Sequence, residues 1–180
     1  VLLQVDRTDV RRENTAGATL AATAASNYNT NERTAASLGW NGRWAWGTSA
    51  LSVLREETKR ETFTQRAGDF TKDARAPELT NTVYDALFNI PLEGSRLGDH
   101  QLVVGGQYIE NKLVDLNPGV SATQPGTFTV WQRALFVEDE WRLNDRLALT
   151  AGLRFDDHER YGSHWSPRLY AVWTPAEAWT

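Results

Sequence analysis

Cysteine and methionine are both missing from the 180 residues. Without cysteine there is no disulfide and no thiolate metal site in this span, so the fold must hold without covalent staples. No run of about 18 apolar residues occurs, which excludes a membrane-spanning helix. No secretory leader pattern opens the chain either. It begins with Val1 rather than Met, and we read it as a piece of a longer protein. Charge of one sign is also lacking. Nineteen Lys and Arg are scattered among twenty-three Asp and Glu, a net charge of −4 with no basic stripe that would fit nucleic acid.

What is present is a polar chain rich in rings. Mean hydropathy is −0.51, yet there are eight Trp, five Tyr and six Phe. A membrane β-barrel has this composition because half of each strand faces water. A β-sandwich stays open as the alternative at this level.

Periodicity identifies strands. In RLALTAGLRFDD (146–157), Leu147, Leu149, Ala151, Leu153 and Phe155 share one parity, opposite Thr150, Gly152, Arg154 and Asp156. Side chains alternate across a pleated strand, so one face is apolar and the other polar. Eight strands are predicted, over 1–6, 32–41, 44–63, 79–90, 100–113, 128–143, 146–157 and 165–174. Their order along the chain suggests an all-β antiparallel meander. Within the third, LSVLREETKRETF (51–63) also suits a helix, but the flanking alternation favours a strand. In the sixth, the lower half has no readable face, because Leu135, Val137 and Trp141 share a parity with Asp139.

Connections set the layout. Asn41-Gly42 and Asn144-Asp145 read as tight hairpin turns, PLEGSRLGD (91–99) as a moderate one, and Thr174-Pro175 as a strand end. Segments 7–31, 64–78, 114–127 and 158–164 read as long polar connections. Short and long connections alternate, as in outer-membrane barrels with short periplasmic turns and longer external loops. Trp40, Trp44, Trp46, Trp141 and Trp173 then fall near short-turn ends, and Trp131, Tyr161 and Trp165 near long-loop ends. Two such belts are what membrane interfaces select. The charged stretch 55–61 is expected to rise above the bilayer.

No catalytic constellation is visible, and we read the chain as not an enzyme. No Ser sits in a nucleophile signature. His100 reads as a solvated residue at a strand start. His158 and His164 bracket a loop with Asp156, Asp157, Glu159 and Tyr161, a polar tip with no metal assigned to it. Glu138, Asp139 and Glu140 read as solvated or lumen-facing. Arg154 and Arg168 should point to the polar side of neighbouring strands, where each can pair with a carboxylate or attract an anion.

The stretch ALFVEDEWRLNDRLALTAGLRFDDHERYGSHWSPRLYAVWTP (134–175) resembles the barrel of TonB-dependent outer-membrane receptors, in the branch that serves catecholate ferric siderophores and colicins. FVEDEW, LTAGLRFDDHERYG and HWSPRLYAVW carry the likeness in combination. LGWNGRWAWGTSALS and NTVYDALFNIPLEGSRLGDHQLVVGGQY extend it to roughly 33–175. The resemblance implies a barrel of about twenty-two strands around an N-terminal plug. It also implies the bacterial outer membrane, import of a ferric siderophore as transported ligand, and energy delivered through TonB. The partners implied are TonB acting on a plug, outer-membrane lipid, the ferric siderophore, and a colicin or phage. No cofactor is implied.

The sequence departs from the whole receptor by showing no plug, no TonB box and no terminal aromatic strand. Residues 1–180 are therefore expected to be a partial barrel domain, an open curved sheet with two unclosed edges. By resemblance, ligand contacts come from loops and lumen, which makes His158, Arg160, Tyr161, His164, Arg154 and Arg168 the candidates. Two other readings compete: a complete eight-stranded barrel with a structural or adhesive role, and a soluble β-sandwich binding module.

Overall fold

The computed structural model describes residues 1–95, 98–115 and 126–174. They form one antiparallel sheet: β1 (Leu2–Asn14), β2 (Asn27–Trp44), β3 (Gly47–Arg66), β4 (Asp69–Lys72), β5 (Glu78–Ser95), β6 (Gly98–Asp115), β7 (Gly126–Asn144), β8 (Leu147–His158) and β9 (Gly162–Trp173). Each long strand pairs with its neighbours in sequence, and β4 folds back on the end of β3. The meander is therefore as expected, with one small strand more. The sheet is open and curved: β1 pairs only with β2, and β9 only with β8. That excludes the complete eight-stranded barrel for the described residues, since β1 and β9 would have to meet.

Register sorts the side chains onto two faces. Leu38, Val53, Tyr84, Tyr108 and Arg133 lie in one row across β2 to β7. Nearer the turns, Phe88, Val104, Val137, Leu153 and Pro167 form another across β5 to β9. The second row is apolar throughout. The opposite face carries Asp85, Gln107, Glu138, Gly152 and Arg168. Little is buried. Among the described residues only Ala35 and Ala134 are buried hydrophobic side chains, while Leu135 is 66% and Leu169 78% exposed. No second layer of polypeptide covers either face among the described residues. This overturns the β-sandwich, whose apolar face would have to meet another sheet. A sheet this oily on one side, with nothing to cover it, is built for hydrocarbon.

Strand length fits. β3 has 20 residues, about 65 Å at the usual rise, where roughly 9–11 residues cross a bilayer. The surplus is the charged half. Arg55, Glu57, Lys59 and Glu61 lie on the same face as Leu51 and Val53 but beyond them. This stretch is strand, so the helical alternative fails. It is held by cross-strand partners such as Arg33, which reaches Glu56 through Nε at 2.9 Å and Asp6 through Nη1 at 2.9 Å.

Several boundaries shift. The β2–β3 turn is at Ala45–Trp46, four residues beyond Asn41-Gly42. In the observed register Trp40 faces Leu51 and Glu32 faces Lys59. A turn at Asn41-Gly42 would instead set Glu32 against Leu51, a charge against the band. Gly47, at φ +145°, supplies the unusual backbone the turn needs. Gly42 serves close packing instead, since a Cβ there would lie 2.8 Å from the Trp40 ring and from Ser49 Oγ.

The β7–β8 turn falls on Asp145–Arg146, one residue past the expected pair. β1 runs on to Asn14, since alternating charged residues pair with β2 as readily as apolar ones do. PLEGSRLGD is mostly strand. Pro91 is tolerated there because β3 stops pairing at Asn89, leaving the Pro91 flank without a ladder partner on that side. Pro167 lies on β9, in register with Leu153. Residues 158–164 are not a long loop: β8 and β9 are joined by three residues, 159–161. The length alternation is thus real for 15–26 and 67–77 but fails here. Pro175 and most of the 114–127 connection lie outside the described residues.

Candidate functional site

The polar face carries the candidates from the β8–β9 hairpin. Arg154 lies in register with Phe136 of β7 and Ser166 of β9. Its guanidinium bonds Asp156, two residues along the same face, with Nε 2.9 Å from both carboxylate oxygens. It also sits 5.8 Å from the Phe136 ring centre. The far end of the Phe136 ring in turn lies against Gly105, where a Cβ would run into it. Arg168 reaches Glu138 Oε2 through Nη1 at 3.3 Å, with its side chain 68% exposed. Phe136, Glu138, Gly152, Arg154, Ser166 and Arg168 line an open groove of about 430 Å³. Both arginines thus lie on the polar face, as their parity requires, and each has its carboxylate. Their exposed ion pairs contribute little stability, about 0–1 kcal/mol each.

The other four candidates are at one strand end. His158 and Tyr161 rings are 4.6 Å apart, and the Arg160 N–H donates to His158 Nδ1 at 3.1 Å. Tyr161 is 86% exposed. His164 faces Asp156 across the hairpin, on the polar face. The structure therefore draws Arg154, Asp156 and His164 along one strip leading from the groove toward the tip. Glu159 fixes that tip on β7: its N–H donates to the Trp131 carbonyl at 3.1 Å, and its carboxylate accepts from the Trp131 N–H at 3.1 Å. In the sequence Glu159 is legible only as one carboxylate of a polar loop.

A second clamp had no local signal. Arg75, in the 73–77 segment after β4, bonds Asp115 at the end of β6 through Nε at 2.9 Å and Nη2 at 2.6 Å. Asp115 is buried. The Arg75 bond holds the Asp115 carboxyl below the usual carboxylate range, and burial opposes but does not cancel this. In the same charged region Lys72 lowers the pKa of Glu61, chiefly through a hydrogen bond of 2.6 Å.

The apolar face is bracketed by rings. At the turn end Trp40, Trp44, Trp46 and Phe88 run in sequence, with centroids 5.7, 6.0 and 6.3 Å apart. At the other end Tyr84 meets Tyr108 at 6.2 Å and Phe155 meets Trp165 at 4.7 Å. Trp40, Trp44, Trp46 and Trp165 are among the residues the sequence assigned to interfacial belts, and Phe88, Tyr84, Tyr108 and Phe155 join them in the structure.

His100 corrects an expectation. It is not a solvated residue: its Nδ1 lies 2.8 Å from Asp139 Oδ2, its ring stacks on Trp141, and its side chain is 22% exposed. Asp139 is on the apolar face, while Glu138 and Glu140 are on the polar one. This gives the lower half of β7 the orientation its sequence withheld.

Known proteins share this architecture. The family described as "TonB dependent receptor-like, beta-barrel" matches residues 3–180. The "Ferric enterobactin receptor PirA" of Pseudomonas aeruginosa is 32% identical over 161 residues, covering 78% of this chain and 21% of the receptor. The "Iron-regulated outer membrane virulence protein" of Vibrio cholerae is 35% identical over 111 residues, covering 61% of this chain and 16% of that protein. The chain thus spans about a fifth or less of the length of these relatives. The crystal structure of the siderophore receptor PirA from Pseudomonas aeruginosa superposes with a TM-score of 0.67 at 30% identity, over 85% of this chain and 26% of that one. The siderophore receptor PirA from Acinetobacter baumannii gives 0.66 at 20% identity, over 97% of this chain and 32% of that one, a likeness of fold. The match over nearly the whole chain, the uncovered apolar face and the two ring belts agree: the chain belongs to the TonB-dependent receptor β-barrel family, and its place is the outer membrane.

Proposed function

We propose that this chain is wall from an outer-membrane importer of ferric siderophores, energised through TonB acting on a plug outside this segment. The observation that carries it is the division of faces. One is oily and banded by rings, as a lipid contact must be. The other holds charged groups already satisfied by partners, as the wall of a wet lumen must be. In this reading the turns at 45–46 and 145–146 face the periplasm, and the tip at 159–161 faces outward with the 15–26 and 67–77 connections.

The names of the relatives, ferric enterobactin and siderophore receptors, support a catecholate chelate as cargo. Such chelates are anionic, and Arg154, Arg168 and Arg160 supply cations along the strip from groove to tip. His158, Tyr161 and His164 supply donors and a ring at the entrance. Arg154 and Arg168 are each partly neutralised by a carboxylate, so the contact is one of steering and brief hydrogen bonding rather than a fixed seat.

Uptake of radioiron presented as a ferric catecholate, by cells whose only receptor is the full-length protein, tests this reading. Uptake that needs TonB, and that falls several-fold in Arg168→Ala with receptor level unchanged, is the expected result. Uptake indifferent to loss of the receptor would end the proposal.

A further inference from the structure

β7 outruns its partner on one flank. It has 19 residues and β8 has 12, and their ladder stops where Gln132 faces His158. On the other flank β7 stays paired with β6 to its end, Gly126 against Asp115. Residues 126–131 therefore present a sheet edge inside the wall, not at either side of it. Trp131 fixes the direction of that edge. Its N–H donates to the Glu159 carboxylate and its C=O accepts from the Glu159 N–H, both at 3.1 Å, on the β8 flank. Backbone groups alternate sides along an antiparallel strand, so the N–H and C=O of Thr127 and Thr129 aim the same way. Neither residue has a hydrogen-bond partner on that flank among the described residues.

An open edge is a template for another strand, and proteins commonly guard one with charge, Pro or a cover. GTFTVW (126–131) has no charge and no Pro, and Glu159 caps only its inner end. The described connections are fastened elsewhere: 15–26 to Gln65 through the Ser26 carbonyl, 73–77 to β3 and to Asp115. A strand added beside β9 would pair with β9 and stay two strands away. Hydrocarbon does not tolerate an open edge, but this one lies beyond Leu135, which faces Phe155 of the outer ring belt. It stands in water, where it can stay open until a partner arrives.

We propose that 127–131 is a docking edge for an extended, uncharged polypeptide segment that reaches the outer mouth and adds to β7 as an antiparallel strand above the β8–β9 tip. Main-chain hydrogen bonds to Thr127 and Thr129 supply affinity, and alternate side chains supply choice. Phe128, 40% exposed, and Val130 share the parity of Glu138, on the lumen side. The partner therefore sets apolar residues opposite these two and small polar ones opposite the threonines. A second copy in the same membrane does not fit. Antiparallel pairing of this edge with its twin would turn the twin upside down in the bilayer.

The outward direction of the edge rests on the outer-membrane reading, and the test separates the two. A dye-labelled peptide of alternating Thr and Val, with Lys at both ends for solubility, is titrated against the full-length protein in detergent and followed by fluorescence anisotropy. Two backbone-methylated forms are compared. Methyl groups on the Thr nitrogens block the edge that pairs, because Thr of the peptide lies opposite Thr127 and Thr129. Methyl groups on the Val nitrogens leave that edge open. We expect saturable binding that survives Val methylation and weakens about tenfold or more with Thr methylation. Thr129→Pro removes an N–H from the open flank and none from the β6 flank, so the wall keeps its ladder while peptide binding falls about tenfold. No saturable binding, or the same affinity for both methylated forms, overturns the proposal. So does binding gained only when 116–125 is deleted, which gives the edge to the chain itself. Dimers that Thr129→Pro dissolves give it to a second copy and overturn the proposal too. Should Thr129→Pro fail to fold, the methylated pair decides alone. Peptide that binds the purified protein but not intact cells overturns the outward orientation instead.

Discussion

Arg75 and Asp115, forty residues apart in sequence, are joined by two hydrogen bonds of 2.9 and 2.6 Å that fasten the 73–77 segment to the end of β6. The pair is outside the apolar band, and its carboxylate is the buried member. Asp115 has its pKa lowered in the folded state by the Arg75 bond. Its contribution is therefore complete above the unfolded value, near about 3.9, and is lost as pH falls through the lower folded value. The clamp should be intact at about pH 5 and open only below the usual carboxylate range. Protease cutting within 73–77 checks this: Arg75→Ala should be cut faster at neutral pH, and the unaltered protein should keep its resistance on mild acidification.

Leu153 and Ser166 are one residue off register on neighbouring strands and so face opposite ways. Leu153→Arg puts a cation in the oily row, at a cost of about 2–4 kcal/mol near mid-bilayer. Ser166→Arg adds the same cation to the polar face and should cost far less. Urea titration of the full-length protein in phospholipid vesicles measures both. Equal losses would contradict the assignment of faces.

Phe136 lies on Gly105 with no room for a Cβ. Gly105→Ala should therefore destabilise by about 1–3 kcal/mol through overpacking. Phe136→Ala in the same protein should recover much of that loss. A double-mutant cycle reads the coupling directly; additive losses would mean that the two do not share the space.

Gly47 adopts φ +145°, and a Cβ there would run into the Asn89 carbonyl. Gly47→Val should cost at least about 1–3 kcal/mol, the usual range for such backbone strain. Gly68, also at positive φ but with open space around it, should cost less when replaced by Ala. Comparing the two by denaturant midpoint tests whether the turn sits at 45–46 rather than 41–42.

Much was legible in the residues because strands are read by parity. The alternation in 146–157 alone set Leu153 and Arg154 on opposite faces, and a period of two cannot slip by one without exposing the whole set. Boundaries were legible only where a turn residue coincided with a turn. Asn41-Gly42 misled because glycine serves close packing as well as turns, and here Gly42 makes room for Trp40 and Ser49. The tip at 159–161 misled because HERYGSH is as polar as a long loop, while its outer residues are paired across β8 and β9.

By itself, the sequence determined the alternation of oily and polar side chains, the rings at both ends of the band and the all-β fold, since these are properties of neighbours along one strand. Only the tertiary structure decided the partners across strands: Arg75 with Asp115, Glu159 with β7, His100 with Asp139. Those contacts depend on register between segments distant in the chain, and no local pattern encodes a register that a small shift of the turn can change.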